Sequence, residues 1–448
     1  MNRITTAFAL ISTSLAWISA ANAQLLPSSD GEIVSQSEAL GCPDLAVRPD
    51  GSFAVAWKQA SQADVYVHLY NSDGTLASQA VAATVSSFST DCNLGTNSDG
   101  FLLACLENGA LTARLFDQNF SAVAGPFVVD DTTPEFYSGP VRGLPGGDFV
   151  VYWHGNQGGY RHILGRRVDE TGPVGPIFQT DDELSAEYPD FDAAVSQGAG
   201  VAVWRSVRGS YPAIRGRMLD DQGMPIGSSF QVNTYNQDND YEMRANANGE
   251  RFAVSWRNVQ CLGPPCGNPP PGSPFSLQDV VVRRYENGVP IDDEDVFVVE
   301  GDATRNIHQL DSALLADGGV AFAYVDSGPL GSMTNRLVSE YLPTAFGPTT
   351  RWELASMDNG SLSCPTIAAG AESAVLLWLE HDFGTDVRSL RFQRFATLGP
   401  APVPSLGAFG IALLGLLTGM AAVYLLRASN SNNAAHVSPS SVDTSQRS

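Results

Sequence analysis

The chain contains almost no lysine. Lys58 is the only lysine among 448 residues, and 25 basic residues accompany 48 acidic ones, which gives a formal net charge of -23. A domain that binds nucleic acid presents clustered Lys and Arg side chains to the phosphate backbone. The composition therefore excludes nucleic acid as the expected partner and is typical of an acidic protein that is kept soluble by its charge.

Helical periodicity and catalytic motifs are missing as well. Between Gln24 and Leu398 no segment keeps a 3.6-residue apolar period for three turns. There is no Gly-x-Ser-x-Gly elbow, no His-Glu-x-x-His and no phosphate-binding loop with lysine. His154 and His162, with Tyr160 and Arg161, are predicted to lie in the connection between the second and third strands of the third unit, where they form the one candidate acid-base cluster. Such a cluster is more often part of a solvated loop. We therefore expect no cofactor, and the sequence favours a non-enzymatic role while it leaves the question of catalysis open.

What the chain does have is a repeat. Seven apolar segments, most of which end in Trp or Tyr, have their last residues 48, 48, 51, 52, 68 and 54 positions apart. Turn pairs such as Asp73-Gly74 and Asn287-Gly288 separate the strands and indicate hairpins. Units of this length with about four short strands are typical of propeller blades, and a pair of β-sandwich domains is the alternative. The recurrent Trp is better explained by packing between sheets than by sugar binding. The segments are residues 53–57, 101–105, 149–153, 200–204, 252–256, 320–324 and 374–378.

The two ends of the repeat complement each other. The last unit has three strands and then runs into Pro400, Pro402 and Pro404 without a fourth, whereas an extra segment, Glu32 to Ser35, precedes the first unit. If that segment completes the last sheet, no sheet edge is left open between the chain ends. The predicted fold is therefore all-β: a seven-bladed β-propeller of four-stranded antiparallel blades over residues 24–398, closed by the N-terminal strand.

Six cysteines in this chain predict three disulfides. Two of them flank the Asn97 to Gly100 turn symmetrically, two bracket a short loop in the longest unit, and two occupy corresponding places in the first and last units. Metal binding is the competing interpretation, but Cys-x4-Cys without a nearby His is poor zinc spacing. The predicted pairs are Cys92 with Cys105, Cys261 with Cys266, and Cys42 with Cys364.

The termini predict the compartment. Residues 1–23 have a basic start, an apolar stretch and Ala21-Asn22-Ala23, which is typical of a secretory signal peptide and its cleavage site. A Pro-rich linker, residues 399–405, precedes an uncharged apolar run at residues 406–426 that is long enough to form a transmembrane helix. Residues 427–448 form a polar tail that we expect to be disordered.

The start of that apolar run resembles the IPTL-CTERM sorting signal, whose pattern is Pro-Thr-Leu-Ser-Glu-Trp-Gly before a helix and a basic cluster. Pro404, Leu406 and Gly410 match the pattern, Phe409 is similar in kind to its Trp, and Arg427 follows the run. The resemblance implies export by a Gram-negative bacterium and handling by an exosortase-type processing enzyme. The chain would pass through an inner-membrane-anchored intermediate to the periplasm, outer envelope or cell surface. A plain membrane anchor is the alternative.

Acidic and aromatic residues recur in the connections between successive units, on the face where propellers commonly bind ligands. Carboxylates suit calcium and exposed tyrosines suit carbohydrate, although the Asp spacing matches no EF-hand loop and ordinary polar loops are the alternative. We therefore predict an exported binding or envelope-interaction module with a glycan or protein ligand. A polysaccharide hydrolase or lyase on a propeller scaffold is the alternative, and a structural matrix protein is a third. The candidate ligand-binding residues are Tyr137, Tyr188, Tyr241, Asp131, Asp182 and Asp240.

Overall fold

A computed structural model describes the body of the chain. The described residues are 24–398 without 60–61, 86–91, 133, 183–189, 207–212, 235–238, 262–275, 302–304, 329–331, 333 and 345–347. These residues form β-strands that are joined by turns and loops. The short, Val-rich and Phe-rich segments between turn residues therefore form strands, as β-propensity predicts.

The strands group into seven sheets, and we call each sheet a blade. The first three blades consist of β2 (Asp44–Val47), β3 (Phe53–Lys58), β4 (Asp64–Tyr70) and β5 (Leu76–Thr84); β6 (Cys92–Thr96), β7 (Gly100–Glu107), β8 (Ala110–Asp117) and β9 (Ala122–Asp130); and β10 (Pro134–Gly143), β11 (Phe149–Gln157), β12 (Tyr160–Asp169) and β13 (Gly172–Gln179). The next three consist of β14 (Phe191–Ser196), β15 (Ala199–Ser206), β16 (Ala213–Leu219) and β17 (Pro225–Gln231); β18 (Asn239–Asn248), β19 (Arg251–Cys261), β20 (Ser276–Glu286), β21 (Val289–Pro290) and β22 (Val296–Val299); and β23 (Ile307–Leu314), β24 (Val320–Asp326), β25 (Asn335–Leu342) and β26 (Thr350–Met357). The seventh contains β27 (Gly360–Ala369), β28 (Ser373–Asp382), β29 (Val387–Leu398) and β1 (Gln24–Gln36).

Each blade is an antiparallel meander whose first strand lies innermost. The inner strand of every blade contacts the inner strand of the next, and β27 of the last blade contacts β2 of the first. The seven blades therefore close into a ring, and the predicted β-propeller is confirmed. In the fifth blade the outermost position is shared by β21 and β22, which both pair with β20.

The N-terminal strand closes the ring. β1 pairs antiparallel with β29 from Gln24 opposite Leu398 to Gln36 opposite Arg388, and so supplies the fourth strand of the seventh blade. The predicted closing segment, Glu32 to Ser35, is confirmed and is part of a longer strand. Leu25 at its start is 1% exposed and packs in the cluster that contains Phe395.

The core lies between neighbouring blades. One cluster joins Phe53 and Trp57 of the first blade to Val375 and Phe392 of the seventh, and corresponding clusters fill the other blade interfaces. The recurrent Trp side chains are all buried, as the packing interpretation predicted, and all except Trp204 belong to these clusters. The recurrent Trp residues are Trp57, Trp153, Trp204, Trp256 and Trp378.

Two disulfides reinforce the ring. Cys42, just before the first inner strand, is bonded to Cys364 in β27, 322 positions away in sequence. Cys92 and Cys105 lie opposite each other in β6 and β7 and are also bonded. Both predicted pairs are confirmed, whereas the third predicted pair depends on the side chain of Cys261 and on Cys266, which lie outside what the structure describes.

No helix among the described residues is long and apolar enough to cross a bilayer. The signal peptide (residues 1–23), the linker, the apolar run at 406–426 and the tail all lie outside the residues that the structure describes. The predicted sorting motif, from Pro404 to Gly410 with Arg427, lies there too. These expectations remain predictions.

Candidate functional site

Polar side chains encircle the centre of the propeller, one from each inner strand. In six blades this residue pairs with the one just before the Trp, Tyr or Cys that ends the repeated apolar segment. In the third blade it is Arg142, which pairs with Val150 beyond an irregularity in strand pairing. We call the seven residues the central belt: Asp44, Asn93, Arg142, Asp192, Arg244, Asp311 and Thr366.

Each of the three belt aspartates connects its own inner strand to the inner strand of the next blade. Asp44 Oδ2 accepts a hydrogen bond from the Leu94 amide at 2.6 Å, and Asp192 Oδ2 accepts one from the Ala245 amide at 3.0 Å. Asp311 Oδ2 accepts one from the Ile367 amide at 2.8 Å. Because inner strands of different blades do not share a sheet, these carboxylates satisfy amides that would otherwise lack a strand partner.

The two belt arginines form salt bridges with aspartates of the following blades. Arg142 Nη2 lies 2.9 Å from Asp192 Oδ1, and Arg244 Nε lies 2.8 Å from Asp311 Oδ1. The arginine side chains retain 32% and 38% of their accessible surface, against 10% and 11% for the paired aspartates. The arginine side chains are therefore the more accessible members of both pairs.

Asp44 differs from the other two belt aspartates. Among the described residues, no Arg, Lys or His forms a salt bridge with it, and its second oxygen accepts only from the Leu45 amide at 2.8 Å. Burial raises the pKa of Asp44 to about 6, and the hydrogen bonds from Leu94 and Leu45 and the charge of Arg142 oppose this rise. Burial also raises the pKa of Asp311, although Arg244 opposes it.

The belt surrounds a cavity of about 560 Å³. This volume lies in the range of pockets for small organic ligands, but such pockets are usually apolar and this one is largely polar. Phe191 adds an aromatic ring to the lining, and His154 packs edge-on against that ring with 4.5 Å between ring centres. The cavity can therefore offer carboxylates, guanidinium N–H groups and one aromatic face to a ligand.

Of the six predicted ligand-binding residues, the structure describes the side chains of Asp131 and Asp182 alone, so their grouping into one site stays a prediction. Asp131 is exposed, and the carboxylate of Asp182 accepts a hydrogen bond from the Ser229 amide of β17 at 2.9 Å. Tyr188 lies outside the described residues, as do the side chains of Tyr137, Asp240 and Tyr241. The backbones of Tyr137 in β10 and of Asp240 and Tyr241 in β18 belong to inner strands rather than to connections.

Two neighbouring acidic residues have structural roles. Asp130 accepts hydrogen bonds from the Thr132 amide at 2.9 Å and from Trp153 Nε1 at 3.0 Å. Asp181 accepts one from the Ile163 amide at 3.1 Å. Both are buried. These two aspartates after outer strands therefore hold the connection against the blade by hydrogen bonds. This agrees with the alternative that the acidic connections are ordinary polar loops.

The prediction that His154 and His162 lie in a connection and form one cluster is wrong. His154 lies in β11 and His162 in β12, both are buried, and they occupy neighbouring register positions of one sheet. Side chains at successive positions point to opposite faces of a sheet, so the two imidazoles are separated. His162 Nδ1 lies 3.2 Å from Asp181 Oδ2, whereas His154 faces the cavity. Neither residue lies in a solvated loop, because the loop consists of Gly158 and Gly159 alone.

No group of three or more His, Cys, Asp or Glu residues within the described part of the chain is placed to hold a metal ion. The belt aspartates fit this finding, since their oxygens accept hydrogen bonds from amides and guanidinium groups.

Comparison with known proteins supports the fold. Neither protein-family models nor curated protein sequences match the chain. Among solved structures it is similar to the polysaccharide lyase Uly1, with a TM-score of 0.50 and 9% identity over 84% of this chain and 100% of that one. It is also similar to a PL25 ulvan lyase bound to -[GlcA(1-4)Rha3S]-, with a TM-score of 0.50 and 9% identity over 81% and 94% of the two chains. At this level of identity the likeness concerns the fold alone.

Proposed function

We propose that this chain is an exported, envelope-associated β-propeller that binds an extracellular glycan in its central cavity. The observation that carries the proposal is the polar cavity, in which Arg142 and Arg244 keep about a third of their side-chain surface accessible. Hydroxyl groups both donate and accept hydrogen bonds, so a sugar can use the carboxylates and the guanidinium groups together. Phe191 offers an aromatic ring for the apolar face of a sugar.

Export is part of the proposal. The signal-peptide pattern of residues 1–23 supports it, and so do the two disulfides, because disulfides persist in oxidising compartments. The apolar run at residues 406–426 would hold the chain in the inner membrane, with Arg427 on the inner side. An exosortase-type enzyme would then recognise the motif from Pro404 to Gly410 and release the propeller to the periplasm, outer envelope or cell surface.

A polysaccharide lyase is the second candidate, because the fold is similar to that of two polysaccharide lyases. The charge of this chain argues against an acidic polysaccharide as its substrate. The formal net charge is -23, and the belt contains three carboxylates against two guanidinium groups. Such a field repels a polyanion and slows its association.

A glycan array and a lyase and hydrolase screen on the same purified protein test the proposal. We expect binding to a restricted set of glycans, loss of that binding on Arg244→Ala, and no product formation. Substitution of Glu372, an exposed residue on the turn before β28, should leave binding unchanged. Product formation from an acidic polysaccharide would support the lyase candidate instead, and an array without any bound glycan would refute glycan binding.

A further inference from the structure

The central belt carries one negative charge that no belt arginine balances. Four of its five charged members pair as Arg142 with Asp192 and Arg244 with Asp311. Asp44 is the fifth, and its neighbours in the ring are the uncharged Asn93 and Thr366. Asp44 is therefore the one belt carboxylate without a belt arginine, and the exposed Asp190 adds a further carboxylate to the cavity lining, so the lining carries an excess of negative charge.

A carboxylate without an opposite charge inside the ring destabilises the folded protein. A carboxylate removed from water needs hydrogen bonds and an opposite charge, and Asp44 has two amide donors but no salt-bridge partner among the described residues. The charged groups that face it from other strands are Arg142 on β10, which stabilises the anion, and Asp311 on β23, which opposes it. A ligand cation next to Asp44 would supply the missing partner.

The other half of the belt can bind uncharged acceptors. A guanidinium group has five N–H donors. Arg244 donates from Nε to Asp311 and from Nη1 to the Met243 carbonyl, and its side chain is 38% accessible. Arg142 donates to Asp192, Ala193 and Val141. Since both arginines already neutralise an aspartate, their remaining N–H groups suit hydroxyl or carbonyl oxygens better than a second anion.

We propose that the ligand is a glycan that carries a free amino group, which binds as an ammonium ion at Asp44 while its hydroxyl groups accept hydrogen bonds from Arg244 and Arg142. This inference rests on the proposed function and names the class of glycan. A cavity of about 560 Å³ accommodates a short oligosaccharide segment rather than a folded partner. The excess of carboxylates over guanidinium groups in the cavity lining favours amino sugars over neutral and acidic ones.

The test compares two trimers that differ only in whether the amino group of each sugar is free or acetylated. The glucosamine trimer and the N-acetylglucosamine trimer are titrated into the full-length protein by calorimetry near pH ~6.5, where the carboxyl is largely ionised. A charge-assisted hydrogen bond predicts at least about tenfold tighter binding of the free-amine trimer. Asp44→Asn should reduce that preference to within about twofold, whereas Glu372→Gln, which makes the same change in net charge away from the cavity, should preserve it.

Each outcome decides the inference. Equal binding of both trimers by the natural protein would overturn it while leaving glycan binding intact, and this comparison needs no variant that has to fold. Tighter binding of an acidic trimer, such as one of galacturonic acid, would also overturn it and would favour the lyase candidate. Failure of every glycan on the array would refute the proposed function together with the inference.

Discussion

The pH dependence of stability should reveal the isolated charge of Asp44. Its pKa is raised from an ordinary value of 3.8 to about 6 in the folded protein, because the half-buried carboxyl is partly removed from water and has no salt-bridge partner among the described residues. A carboxyl whose pKa is raised on folding stabilises the folded state while it is protonated. That contribution is complete below about pH 4 and is lost as the pH rises through about 6.

The magnitude follows from the shift. About two pKa units at 1.36 kcal/mol each correspond to about 3 kcal/mol, and because Asp44 is half-buried, solvent screening reduces this to about 2 to 3 kcal/mol. Asparagine keeps one acceptor oxygen and does not titrate. The free energy of unfolding of the natural protein, minus that of Asp44→Asn, should therefore fall by about 2 to 3 kcal/mol between pH ~4 and pH ~6 and remain level above pH ~7.

Urea unfolding at a series of pH values, followed by the fluorescence of the buried Trp residues and by circular dichroism, measures this difference. Coincident transitions by both probes are required for the free energies to be compared. Asp50→Asn serves as a control of opposite sign, because hydrogen bonds from Ser52 lower the pKa of Asp50, and its stabilising effect is lost as the pH falls. A difference for Asp44→Asn that stays constant or rises between pH ~4 and pH ~6 would refute the reasoning.

Three further predictions concern the ring and the ends of the chain. Deletion of residues 24–38 should lower the melting temperature, because β29 loses its partner strand and the last blade gains an open edge; an unchanged melting temperature would count against closure by β1. Replacing Cys42 and Cys364 by serine should cost about 3 to 5 kcal/mol of unfolding free energy, against a smaller loss for Cys92 and Cys105, whose loop is short; equal losses would contradict the loop-entropy argument. Mass spectrometry of the mature protein should find a C-terminus near the motif that begins at Pro404, and a chain ending at Ser448 in cells with the exosortase system would show plain anchoring.

The fold could be predicted because its signals are local and repeated. The spacing of the apolar segments sets the blade count, and the shortage of one strand at the end together with a surplus of one at the start predicts the closure. The two confirmed disulfides follow from the same reasoning, since one depends on hairpin symmetry and the other on which blades become neighbours in a closed ring.

The site could not be predicted in the same way, because the residues of the belt come together only in the ring. Asp44-Leu-Ala-Val, Asp192-Ala-Ala-Val and Asp311-Ser-Ala-Leu share a pattern just before a turn, and a comparison of the inner strands could have found it. Which aspartate has an arginine partner depends instead on the order of blades around the axis. The histidines mislead for a related reason, since Gly158 and Gly159 make a turn so tight that both histidines lie inside strands.

A crystal structure of the protein with the glycan that binds it most tightly tests the central claim most directly. The account predicts a sugar in the central cavity, with an amino group at hydrogen-bond distance from the carboxylate of Asp44 and hydroxyl oxygens next to Arg244. A sugar bound on the outer strands or at the rim, with no ligand at the belt, would contradict it.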